Sequence, residues 1–143
     1  MSELKQLEAI ATALINMYEI TAPPVPVETI LQQPKDGMWE QVDLNQMSGT
    51  FLSVKDLYSP RMSLARLLAR HVSNSYWGEE RGLPDLIHND EQKLRSFARM
   101  LIMPADLIEA LSTAARNPTA MSLQFEVPEE DAKLRLSEFA SGN

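Results

Sequence analysis

Arg61, Arg66, Arg70 and His71 all fall within residues 60–76, and no acidic side chain interrupts that run before Glu79. Arg66 and Arg70 are four apart, so on a helix they share one face. Leu64, Leu67, Leu68 and Val72 occupy much of the remaining circumference. Two like charges stacked on a mostly apolar helix destabilise it unless an anion answers them. A solvated basic edge is the plain reading. The chemical one is a carboxylate or phosphate between two guanidiniums, which bond such groups bidentately. Other chemistry is thin. There is no cysteine, which excludes a thiol nucleophile, a Cys-ligated metal and a disulfide framework. Ser63, Ser73 and Ser75 have no readable Ser-His-Asp arrangement, and the five glycines form no phosphate-cradling loop. His71, His88 and Glu91 make a conceivable metal set without a spacing signature. Trp39 and Trp77 read as packing residues, and Glu79, Glu80, Asp85 and Asp90 as a solvated acidic loop.

The elements that must position these groups follow from periodicity. In residues 2–18, Leu4, Leu7, Ile10, Ala11, Leu14, Ile15 and Tyr18 draw one helical stripe behind an N-cap at Ser2. Pro23 and Pro24 end it, and Pro26 opens a short helix reaching about Gln33. Pro34 to Gly37 is turn chemistry, Met38–Val42 reads as a strand, and Thr50–Val54 after a Ser48-Gly49 turn reads as a better one. Beyond Ser59 the pattern is helical. Residues 60–76 carry Leu64, Leu67, Leu68, Val72 and Tyr76, and residues 78–89 read as a polar loop without periodicity. Residues 91–102 carry Leu94, Phe97, Ala98, Leu101 and Ile102. Pro104 opens a helix burying Leu107, Ile108, Leu111 and Ala115. A short helix spans 120–125, and a last one from Pro128 carries Leu134, Leu136 and Phe139.

The 143 residues include 20 acidic and 13 basic side chains, a formal net charge of -7, with 44% hydrophobic and 23% charged residues. These are ordinary globular proportions for a single domain. No signal peptide or membrane span is read, so a cytoplasmic location is expected, and the acidic balance disfavours non-specific nucleic-acid binding. Residues 120–139 imitate a helix-turn-helix. However, the segment from Pro128 sets Lys133 and Arg135 against Glu129, Glu130, Asp131 and Glu138, so DNA contact is not expected.

Several segments carry a family resemblance. Residues 61–70, Arg-Met-Ser-Leu-Ala-Arg-Leu-Leu-Ala-Arg, are similar to the Arg-Phe-Thr-Leu-Ala-His-Glu-Leu-Gly-His helix of the ImmA/IrrE family, which are zincin-like metallopeptidase domains. Residues 91–104 resemble that family's Glu-x-x-Ala-Asn-x-Phe-Ala-Ala-x-Leu-Leu-Met-Pro signature, with Glu91, Phe97-Ala98 and Met103-Pro104 in register. Pro23–Val27, Ser48-Gly49 and Met121–Leu136 resemble further family segments in the same order. The pattern itself reads as α+β, about six helices with a small antiparallel sheet, and the resemblance implies that this fold is zincin-like. It implies one domain over 1–143: N-terminal helices in 1–33, the sheet in 34–58, the degenerate active-site helices in 59–104 and C-terminal helices in 105–140.

It also implies what has been lost. Arg66 and Arg70 stand where the family has its zinc-binding histidines, Leu67 where it has the general-base glutamate, and Glu91 at the third-ligand position. A guanidinium has no lone pair for a metal, and leucine cannot accept a proton. The expectation is therefore a catalytically inactive pseudo-metallopeptidase with no catalytic residue and no cofactor. One or both arginines should bond Glu91 in place of the metal, making Glu91→Ala costly; the plainer role for Glu91 is to favour its helix N-terminus. The resemblance further implies a cytoplasmic bacterial or phage protein whose partner is a helix-turn-helix transcriptional regulator. The alternatives are a metal-dependent hydrolase using His71, His88 and Glu91, and a structural scaffold subunit.

Overall fold

The computed structural model describes residues 2–44 and 57–141. In chain order the helices are α1 (Glu3–Met17), α2 (Val27–Gln32), α3 (Ser59–Asn74), α4 (Tyr76–Glu80) and α5 (Leu83–Ile87). They continue with α6 (Glu91–Ile102), α7 (Ala105–Glu109), α8 (Pro118–Phe125) and α9 (Glu129–Ser141). The described residues contain no strand, which overturns the expected α+β architecture with its small antiparallel sheet. Met38–Val42 is irregular. The Val42 amide donates to Leu31 O at 3.4 Å and the Trp39 indole to the same carbonyl at 3.0 Å. The segment thus fastens to the end of α2 instead of entering a ladder, without which an alternating pattern cannot hold a strand. Thr50–Val54 lies outside the described residues.

The helices start and stop where local chemistry directs. Ser2 accepts from the Lys5 amide at 3.2 Å, Asp90 from Gln92 and Lys93, and Asn117 from Ala120 at 2.9 Å, capping α1, α6 and α8. The helix expected over 60–76 breaks at Ser75, whose hydroxyl donates to Val72 O at 2.7 Å and accepts from the Gly78 amide at 3.0 Å. Tyr76 consequently leaves the stripe and is exposed. The expected loop 78–89 holds the end of α4 and all of α5. Each is five residues long, too short for periodicity to register. The helix expected to bury Leu107 through Ala115 stops at Glu109. There Arg116 bonds the Ile108 and Glu109 carbonyls at 3.2 and 2.7 Å, folding the chain back over its C-terminus.

At the centre α3 packs on α6. α1 covers α6, α2 covers α3, and the α8–α9 pair closes the far side through α9. The core takes Leu14 and Ile15 from α1, Leu68 and Val72 from α3, and Phe97, Met100 and Leu101 from α6, all essentially without solvent contact. Side chains that sequence alone assigns to the surface brace this core. Arg135 is 0% exposed, forks onto Glu8 at 2.6 and 2.7 Å and donates to Met103 O at 2.8 Å, joining α9 to α1. Arg99 forks onto Glu138 at 3.0 and 2.7 Å, joining α6 to α9. Arg61 does not belong to a basic stripe. It donates to the Val25, Phe125 and Glu126 carbonyls and reaches Glu28, tying α3 to the start of α2 and the end of α8.

Candidate functional site

The α3–α6 pairing places Ser63, Arg66, Leu67 and Arg70 of α3 opposite Glu91 and Arg95 of α6, around a groove of about 260 Å³. Each helix contributes residues at steps of three or four, so one face of each lines it. A second cavity of about 160 Å³ adjoins through the same Arg70 and Glu91, with Ser73, Asn74, Asn89 and Asp90 among its walls. Three of the four positions singled out by the resemblance, Arg66, Leu67 and Arg70, thus lie together on α3, with the fourth, Glu91, facing them from α6.

Arg70 Nη2 donates to Glu91 Oε1 at 2.7 Å. Glu91 therefore bridges to α3, while Asp90 does the capping of α6. The pair is half in solvent, with Arg70 53% and Glu91 49% exposed. That exposure corrects the expectation of a costly Glu91→Ala, since exposed pairs contribute about 0.2–1 kcal/mol. Arg66 does not join the pair. Its Nε is sealed from water and has no acceptor among the described residues. Leu67 is partly buried on the groove wall.

The two histidines lie elsewhere. His71 packs beside Trp39, ring centroids 6.5 Å apart, and burial pushes its imidazole below the ordinary value. His88 is exposed and ends α5 in the left-handed region at φ 52. Among the described residues, no three His, Asp or Glu side chains are grouped to hold a metal ion, so His71, His88 and Glu91 do not assemble as a ligand set. Trp77 is a buried packing residue with Arg81 stacked 3.9 Å over its ring.

Arg95 is the groove residue that sequence reasoning passed over. It stands where the resembled signature has asparagine, one helical turn after Glu91, and that i, i+4 spacing was the available signal. With it, the described lining carries three guanidiniums against one carboxylate. None of these groups binds a metal or accepts a proton from water at neutral pH except Glu91, which is engaged by Arg70. What the groove can do chemically is bind an oxyanion. Comparison with family models, curated proteins and solved structures gives no match to this chain. No described helix is long and apolar enough to cross a membrane.

Proposed function

We propose that this chain is a non-catalytic, ImmA/IrrE-like domain that binds a protein partner through the α3–α6 groove. The partner class the resemblance implies is a helix-turn-helix transcriptional regulator. One observation carries the reading: Arg66, Leu67 and Arg70 line an open groove opposite Glu91, at the positions where the resembled peptidases hold metal and base. A groove so lined keeps a surface for a peptide and has no group to activate water. The acidic first turn of α9, Glu129, Glu130 and Asp131, together with the net charge of -7, supports a protein partner over DNA.

The test is a photo-crosslinking residue placed at Ser63, on the groove, in cells that naturally carry the protein. The expected result is one discrete protein adduct, lost when Arg95→Glu is added and absent when the crosslinker sits at Lys133 on α9. No adduct from Ser63, or peptide hydrolysis by a stoichiometrically zinc-loaded preparation, would refute it.

A further inference from the structure

The arginine–carboxylate pairs of this protein are of two kinds. Arg99–Glu138 and Arg135–Glu8 are bidentate, and Arg99 and Arg135 are buried. These join helices permanently. Arg70–Glu91 has a single bond, between Nη2 and Oε1, and both partners are half exposed. The remaining donors of the Arg70 fork are unused, although a guanidinium carries five. Its neighbours are emptier still: the side chains of Arg66 and Arg95 make no hydrogen bond to any described residue, and the Arg66 Nε is shut off from water. With its Nε sealed and without an acceptor among the described residues, Arg66 brings an unanswered charge to the groove.

We infer that Arg66, Arg70 and Arg95 form an oxyanion site in which Glu91 is a built-in, displaceable occupant. The group recognised is dianionic, either two adjacent carboxylates or one phosphoryl group on a short segment of the protein partner. The charge count sets the valence. Three guanidiniums and one carboxylate leave two positive charges on the described lining, which a dianion neutralises. The volume of about 260 Å³ is below the range of drug-sized pockets, about 300–1,000 Å³, and suits a side-chain head group. The adjoining polar cavity, which shares Arg70 and Glu91, gives the rest of the segment a place to lie. An extended polyanion is disfavoured because the chain as a whole carries -7. Glu91 occupies Arg70 when the site is empty, and an incoming oxyanion exchanges with it. The exchange requires a weak internal pair, and the exposure of both partners makes this one weak.

The inference rests on the partner-binding reading of the same groove but is tested separately, by calorimetry on the full chain at low salt. The ligands are two acetylated tetrapeptides, one with adjacent glutamates and one with a phosphoserine. At least one should bind at micromolar to millimolar concentration, and the tighter of the two identifies the source of the oxyanion. Arg66→Gln and Arg95→Gln should each weaken it about tenfold or more, the loss of a charge-assisted bond. Lys133→Gln, which removes a charge from an exposed position of α9, should leave it unchanged. Glu91→Gln should tighten it about two- to fivefold by removing the competitor, an effect that a merely structural role for Glu91 does not produce. Failure of both peptides to bind at about 5 mM, wild-type affinity in both arginine variants, or weaker binding in Glu91→Gln overturns the inference. If the peptides fail while the Ser63 adduct persists, the oxyanion site falls and the partner reading stands. If they bind while no adduct forms, the site stands and its protein context falls.

Discussion

Replacing Glu8 by alanine strands a guanidinium inside the protein. Arg135 is 0% exposed and Glu8 14%, and the two bonds between them, 2.6 and 2.7 Å, are among the shortest polar contacts in the structure. After the substitution Arg135 keeps its bond to the Met103 carbonyl and loses both carboxylate acceptors. It cannot reach bulk water without opening the α1–α6–α9 packing. Breaking a buried pair from one side costs about 3–5 kcal/mol, because the remaining charge is left desolvated and uncompensated. For a chain of this length that is a fall in Tm of about 10–15 °C. Urea denaturation followed by far-UV circular dichroism measures it, with the slope checked so that a shifted midpoint reports stability. The variant Glu8→Ala/Arg135→Met should recover a large part of the loss, since a similarly sized apolar side chain removes the buried charge. A single-variant loss under about 1 kcal/mol would refute the reasoning. It would mean that another acceptor takes over the guanidinium.

The groove should respond differently. Glu91→Ala is expected to lower stability by less than about 1 kcal/mol, and a double-mutant cycle with Arg70→Ala should return a coupling within that range that shrinks with added salt. Arg66→Met should hold or raise Tm, because a buried donor without an acceptor disappears, while the proposed oxyanion binding weakens; a stability loss above about 2 kcal/mol would show that Arg66 is a structural residue. For His71 the folded value lies below the ordinary 6.5, so the unfolded chain takes the proton first as pH falls. Its contribution is complete above 6.5 and declines as pH drops from there to the lowered folded value. His71→Gln should therefore flatten the Tm–pH curve in that window. At Gly78 an added Cβ would run into the Val72 backbone carbonyl; Gly78→Ala should cost about 3 kcal/mol, read from the urea midpoint.

Local chemistry in the sequence was enough to determine most helices. The stripe of α1 with its Ser2 cap and the Leu94–Ile102 face of α6 both sit where periodicity and capping put them. Those signals survive because each is carried by residues within one or two turns of one another. Segments of about one turn escaped, as α4 and α5 did, and so did a strand-like alternation at Met38–Val42 that found no ladder. The steps of four that bring Arg66 and Arg70 onto one face were also legible, because helix geometry alone fixes them.

Tertiary structure decided which charges matter. On α9 the sequence favours Leu134, Leu136 and Phe139 as the inner face; Leu136 and Phe139 pack against the core, but Leu134 is 44% exposed and Asp131, Ala132 and Arg135 are buried. Nothing local announces the burial of Arg135, whose carboxylate partner Glu8 lies 127 positions away. The same holds for the arginines of α3. Arg61 joins three elements, Arg70 holds Glu91 loosely, and Arg66 is left without a partner among the described residues. In sequence these are three equivalent cations. Their different roles depend on burial and on acceptors from distant parts of the chain, and a guanidinium's energy is set by both.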